Sequence, residues 1–301
     1  MSVNQRFKIV MLAMASSLAT SLMLPTPLVP HHRGVTKMWA KTKVSDWAKS
    51  VAEGGFVVDG KYMTAEDITA AEDSARKSNE PKTRQKSPME LFVKPGPLGT
   101  DSGDCPFAHS VRMVLALKGV SYTLTPCVPE SKPDWLVTGY DGKMPCLLHD
   151  GEVHTESLII ARYLNFFFPD PKLGPCSDAI DAACAPLFPS LESFLKNTDA
   201  GADEALQATL VDALGTLDAH LDSSGGLFLG GSPSLGIGDC SLAPTLWHLQ
   251  IAASHFKGFE VPSQFTSLKT YTERVLKEDS FEQTACSKET VIWGWGKARG
   301  E

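Results

Sequence analysis

A chain of 301 residues with 43% hydrophobic composition is long enough to bury the cores of two ordinary domains and to carry an appendage as well. A net charge of −7, a pI near 5.6 and no long basic run argue against a nucleic-acid partner and for a small-molecule one. Seven cysteines, an odd number without C-x-x-C spacing, speak against a zinc site or a disulfide framework and for a reducing compartment.

The first segment differs from the rest. No Asp or Glu precedes Asp46, whereas Arg6, Lys8, Arg33, Lys37, Lys41 and Lys43 are basic, and Ile9 to Leu24 is apolar but broken by Ser and Thr. These are marks of a targeting peptide. A spanning helix needs about 20 mostly apolar residues; this run is shorter and ends at Pro25. The reading is a removable, plastid-directed segment, with secretory entry, a bipartite signal or a cytosolic location as alternatives. Residues 25–88 carry prolines, two short amphipathic helix candidates at Val44 to Ala52 and Ala65 to Ala75, and the polar run Lys77 to Ser87. Residues 1–87 are therefore expected to be a targeting peptide and linker-like extension.

From Met89 the pattern sharpens. Met89 to Val93 reads as a short apolar strand, and Lys94 to Asp104 as a Gly/Pro-rich loop. A helix starts at Pro106, a residue suited to the first helical position, with Phe107, Val111, Val114 and Leu115 on one face and Cys105 at the N-cap. A strand near Ser121 to Thr125 follows, then a short helix around Lys132 to Val137 and a strand from Pro145 to His149. Asp150-Gly151 signals a hairpin into Val153 to Thr155, and Ile159, Ile160, Tyr163, Leu164 and Phe167 mark a helix opened by Glu156-Ser157. This β-α-β-α-β-β-α order is thioredoxin-like and spans residues 88–170. After Pro169 to Pro175 the chain reads as helical to about Lys277, with a Leu206, Leu210, Leu214, Leu217, Leu221 stripe, giving an all-α domain over residues 175–298.

The chemistry centres on Gly103-Asp104-Cys105-Pro106-Phe107-Ala108. The thiolate is the nucleophilic form of cysteine, and the unpaired N–H groups at a helix start stabilise it, so Cys105 is expected to be partly exposed with a lowered pKa. A buried structural cysteine is the bland alternative. Ala108 stands where a redox pair would have its second thiol, so a mixed disulfide at Cys105 needs an external thiol, for which glutathione is the obvious supplier. Met144-Pro145 precedes a strand where thioredoxin-like folds hold a cis proline, against an ordinary trans proline as the alternative. Glu156 offers a carboxylate for an ammonium, and Ser157 a hydroxyl and N–H groups for a carboxylate, which suits a γ-glutamyl end; helix capping is the alternative. Asp239 reads as a structural acid at a helix start. Lys94, Lys132 and His248 are weaker candidates. The other cysteines, 127, 146, 176, 184, 240 and 286, read as apolar fillers or bystanders.

The segment Leu91 to Phe107 (LFVKPGPLGTDSGDCPF) resembles both the plant dehydroascorbate reductases and the intracellular chloride channel proteins, two groups with the glutathione-transferase fold. Leu242 to Phe256 (LAPTLWHLQIAASHF) and Asp279 to Trp295 (DSFEQTACSKETVIWGW) look much more like the reductases. The resemblance implies glutathione-dependent reduction of dehydroascorbate, with Cys105 and Asp104 catalytic. It implies glutathione contacts at Lys94, Lys132, Met144, Pro145, Glu156 and Ser157, and ascorbate contacts at Lys94, Asp104, His248 and Trp295. Glutathione would be the co-substrate, with no metal, no nucleic acid, no stable membrane association and a monomeric chain. Ala108 for a usual Ser, Glu156 for a usual Asp, and a Lys94 to Asp104 loop one residue short depart from the family pattern. A cysteine-type transferase or thioltransferase of omega or lambda kind is the neighbouring alternative, and a membrane-inserting channel-like protein the non-enzymatic one.

Overall fold

The structure, a computed structural model, describes residues 55–58, 61–64, 88–174 and 177–301. The apolar run, the two early helix candidates and Cys176 lie outside the described residues. The described residues fall into two compact units.

One unit includes a hairpin and residues 134–142. Strands β1 (Gly55–Val58) and β2 (Lys61–Thr64) pair antiparallel, Gly55 with Thr64 and Val58 with Lys61. The linker-like expectation overlooked this pair. Its signal was local: Asp59-Gly60, a favoured two-residue hairpin connection, lies between the strands in sequence. In the same unit, helix α2 (Asp134–Tyr140) has an acid in its first turn and sets Trp135 edge-on to Tyr140 at 6.3 Å.

The second unit holds residues 88–133 and 143–301. Its sheet has the order β4-β3-β5-β6, formed by β3 (Met89–Val93), β4 (Thr123–Pro126), β5 (Cys146–His149) and β6 (Glu152–Thr155). β3 and β4 are parallel, and the other pairs are antiparallel. β3 is central and nearly continuous in apolar residues because both its faces are covered; Leu91 and Val93 are fully buried. The β5–β6 connection has positive φ at Asp150 and Gly151 (52° and 74°), as the shortest hairpin turns require.

Helix α1 (Pro106–Leu117) buries Val111, Met113, Val114 and Leu115, and α3 (Ser157–Phe167) buries Ile160, Ala161, Tyr163 and Leu164. Each such fully buried aliphatic side chain contributes roughly 1.5–3 kcal/mol. The helical part comprises α4 (Asp178–Cys184), α5 (Leu187–Lys196), α6 (Ala200–Ser224), α7 (Ile237–His248), α8 (Ser254–Lys257), α9 (Thr266–Val275), α10 (Asp279–Glu282) and α11 (Lys288–Arg299). Of the leucine stripe, Leu210, Leu214 and Leu217 are buried, while Leu206 and Leu221 at its ends are half-buried. Asp239 serves as expected at the start of α7, accepting from the Gly236 N–H at 2.8 Å, the Leu229 N–H at 3.0 Å and the Tyr271 hydroxyl at 2.8 Å. α7 widens into a π turn over Leu249–Ala253 immediately after His248. Helix continues past Lys277; the apolar pattern fades there in sequence because Gly294 and Gly296 dilute the periodicity of α11. Among the described residues no helix is long and apolar enough to cross a membrane.

Candidate active site

The sheet topology gathers most of the candidate residues. Lys94 follows β3, and the Cys127 to Lys132 segment follows the parallel β4, so both leave the sheet at the same end. β5 runs antiparallel to β3 with Cys146 opposite Phe92, so Met144 and Pro145 enter at that end too, and Glu156-Ser157 leaves β6 opposite them. The ends of parallel strands, where connecting loops diverge, are the usual place for a ligand in such sheets. The Met144-Pro145 peptide is cis.

The loop between β3 and α1 closes on itself. The Gly103 N–H donates to the Lys94 carbonyl at 2.7 Å, Gly96 N–H to Asp101 at 2.8 Å, and Pro95 and Ser102 form an isolated bridge. Gly103 has to lack a side chain here, since a Cβ would stand 2.5 Å from the Pro95 carbonyl oxygen. The closure brings the exposed Lys94 within electrostatic reach of both Asp104 and Cys105. The shortened loop thus still delivers its lysine.

Cys105 is the N-cap of α1, with extended backbone, and its carbonyl accepts the first helical bond from His109 at 3.1 Å. Its position is as expected; its environment is not. The side chain is 8% exposed rather than open, and burial pushes the thiol up rather than down. The N–H groups of Ala108 and Phe107 and the charge of Lys94 pull the other way and do not offset the desolvation. Asp104 next to it is also shifted up by burial, against its own backbone N–H, Lys94 and Lys297. In the unliganded protein both acids therefore hold their protons more tightly than they would in water.

His248 and Trp295 are brought together behind this loop. The Trp295 indole N–H donates to His248 Nδ1 at 2.9 Å, both side chains are buried, and the Asp104 backbone carbonyl faces the His248 ring. Burial lowers the His248 pKa to about 4, so the ring is neutral with its proton on Nε2. With Nδ1 taken by Trp295 and both side chains buried, the pair lies against the Asp104 backbone rather than opening onto solvent.

At the other side of the sheet end, Glu156 has φ 68°, a conformation rarely held by a residue other than glycine, and caps nothing with its side chain. Its carboxylate meets Lys143 at 3.5 Å in an exposed pair of small energetic weight. Lys132 lies within electrostatic reach of Cys127, which is itself buried at the β4 exit.

Four residues near Cys105 were missed from the sequence. His109, one turn along α1, is 4% exposed, and among the described residues neither ring nitrogen has a hydrogen-bond partner. The Cys286 thiol, pushed up to about 11 chiefly by burial, is within electrostatic reach of Asp104 and Cys105; Trp247 donates to its carbonyl at 3.3 Å. Gly294 and Lys297 on α11 both face Asp104. Only Gly294 had a sequence signal, as a glycine inside a helix usually has a packing reason. No cluster of metal-ligating side chains occurs among the described residues.

Residues 104–165 match the family model for the glutathione S-transferase N-terminal domain, and residues 199–274 the one for its C-terminal domain. Glutathione S-transferase DHAR2 of Arabidopsis thaliana is 33% identical over 194 residues, which are 64% of this chain and 89% of that protein. The crystal structure of Chlamydomonas reinhardtii dehydroascorbate reductase aligns with a TM-score of 0.63 at 30% identity, covering 70% of this chain and 98% of that one. Chloride intracellular channel protein 3 of Homo sapiens is 32% identical over 213 residues, 65% of this chain and 90% of that protein.

Proposed function

The chain belongs to the glutathione S-transferase family, in the branch that holds the dehydroascorbate reductases, and from that premise we propose that it reduces dehydroascorbate to ascorbate with two glutathiones, using Cys105 as a monothiol nucleophile. The observation that carries this reading is the meeting of Lys94, Asp104 and Cys105 at a helix start, on the sheet end that also holds cis Met144-Pro145 and Ser157.

The Cys105 thiolate attacks dehydroascorbate, and with one water the adduct yields ascorbate monoanion and a Cys105 sulfenic acid: the sulfur loses two electrons and the substrate gains them. One glutathione condenses with the sulfenic acid, releasing water and leaving a mixed disulfide. A second glutathione attacks that disulfide, giving glutathione disulfide and restoring the Cys105 thiol. The Phe107 and Ala108 N–H groups receive the charge of the thiolate, and Lys94 and Asp104 orient the substrate and exchange its protons. Met144, Pro145, Glu156, Ser157 and Lys132 hold the glutathione. Ala108 leaves no thiol one turn away to resolve the mixed disulfide. We assign this reaction to ascorbate recycling. Residues 1–87 are a removable extension that directs the protein to plastids, followed by the glutathione-binding domain over 88–170 and the helical domain over 175–298.

The test compares steady-state reduction of dehydroascorbate by Cys105→Ser, Cys127→Ser and Cys240→Ser proteins. Cys105→Ser abolishes turnover, while the other two, which alter buried thiols raised by desolvation, keep it. Intact mass after one equivalent of glutathione disulfide shows a single glutathione on Cys105. Equal residual activity in all three variants, or an internal Cys105–Cys286 disulfide in place of the glutathione adduct, contradicts the assignment. Faster turnover on a glutathionylated peptide than on dehydroascorbate makes the protein a thioltransferase instead.

A further inference from the structure

Helix α11 contains two glycines, Gly294 and Gly296, among Trp293, Trp295 and Lys297. Glycine is among the poorest helix formers, so each position invites the question of what a side chain would meet. At Gly296 the answer is almost nothing: an added Cβ would stand 4.0 Å from the Phe256 ring. At Gly294 it would stand 2.0 Å from Asp104 Oδ2, 2.1 Å from Cγ and 2.5 Å from Oδ1. The Asp104 carboxylate fills the place where a side chain at 294 would begin. Gly294 does not have a positive φ, so the helix backbone there would accept alanine, and the requirement is one of space alone.

The neighbours of Gly294 hold the same residue from other directions. Trp295 bonds to His248, whose ring faces the Asp104 carbonyl. Lys297, one turn further along the same helix, stacks over Trp293 at 4.7 Å and acts on the Asp104 carboxylate electrostatically. α11 therefore engages both the backbone and the side chain of the residue next to Cys105.

We infer that Gly294 is a positioning residue for Asp104: its side-chain-free notch on α11 seats the carboxylate and holds it beside the Cys105 thiol. Without the notch the carboxylate would have to rotate away from the site. The inference rests on the proposed function only in so far as Asp104 serves the reaction. The packing of Asp104 against Gly294 can be tested independently of it.

The experiment is a double-mutant cycle in the full-length protein with Gly294→Ala, Asp104→Ala and the combination, read by kcat and KM for dehydroascorbate and by melting temperature. Gly294→Ala alone is expected to lower kcat about tenfold or more, the scale set by misplacing a group at a reacting centre, with little change in the KM for glutathione. It is also expected to lower the melting temperature by about 2–4 °C or more. In the Asp104→Ala background there is no carboxylate to displace. There, the same substitution should change kcat by less than about twofold and raise the melting temperature, because alanine is the better helix former. Equal losses in both backgrounds, or wild-type kcat and melting temperature in Gly294→Ala, overturn the inference. Wild-type turnover by Asp104→Ala would instead remove Asp104 from the proposed mechanism, while a reversal in the sign of the melting shift would still establish the notch.

Discussion

His109 is a buried base whose removal should matter most in acid. It lies one turn beyond Cys105, 4% exposed, with its ring 4.8 Å from that of Phe281 and with neither nitrogen hydrogen-bonded among the described residues. Burial, with Arg112 and His248 nearby, lowers its pKa to about 3; the Phe281 carbonyl faces the ring without forming a hydrogen bond and offsets little. The unfolded chain titrates near the ordinary value of about 6.5. Because the folded value is the depressed one, the stability tied to the neutral ring is fully present above about pH 6.5 and is lost as pH falls toward the folded value. Each pH unit in that window costs about 1.4 kcal/mol, so at pH 5 the loss from this residue is about 2 kcal/mol. His109→Phe keeps the ring and removes both unpartnered nitrogens. It should equal or exceed the wild type at pH 7 and lose about 2 kcal/mol less between pH 7 and pH 5. Urea unfolding at the two pH values measures this. His248, lowered to about 4, and Asp104 and Asp239, both raised, titrate in both proteins and cancel in the difference. Equal losses in the two proteins, or a variant less stable at pH 7 by more than about 1 kcal/mol, would show that the ring makes a hydrogen bond the folded protein needs.

Because burial raises the Cys105 thiol, alkylation of the unliganded protein by iodoacetamide should keep accelerating with pH beyond the ordinary cysteine value of about 8.5. A plateau near pH 6 would mean that the helix start outweighs desolvation after all. The fragment beginning at Ser87 should stay soluble and retain dehydroascorbate reduction, since every strand of the four-stranded sheet lies beyond it. An insoluble or inactive fragment would make residues 1–86 structural.

What was legible in the sequence was whatever a few adjacent residues encode. Met89–Val93 is bounded as the apolar run suggests, α1 begins at Pro106, Asp150-Gly151 turns the hairpin, and Ser157 opens α3. These follow from side-chain periodicity and turn chemistry, which act over one or two turns of chain. The same logic placed Cys105 at a helix start, and Asp59-Gly60 would have given the β1–β2 hairpin had the polar surroundings not been read as linker.

Tertiary structure decided the properties that depend on distant neighbours. A helix start lowers a thiol pKa locally, but whether Cys105 is desolvated depends on how completely the rest of the fold covers it, and here burial prevails. His248 and Trp295 were legible as candidates, yet only packing shows them bonded to each other behind Asp104. Gly294 has no local reason for its missing side chain; the reason lies in the fold, which sets it against the Asp104 carboxylate. Local pattern carries no record of which residues remote in sequence will exclude water or occupy a given space, because burial and close packing are set by the whole chain at once.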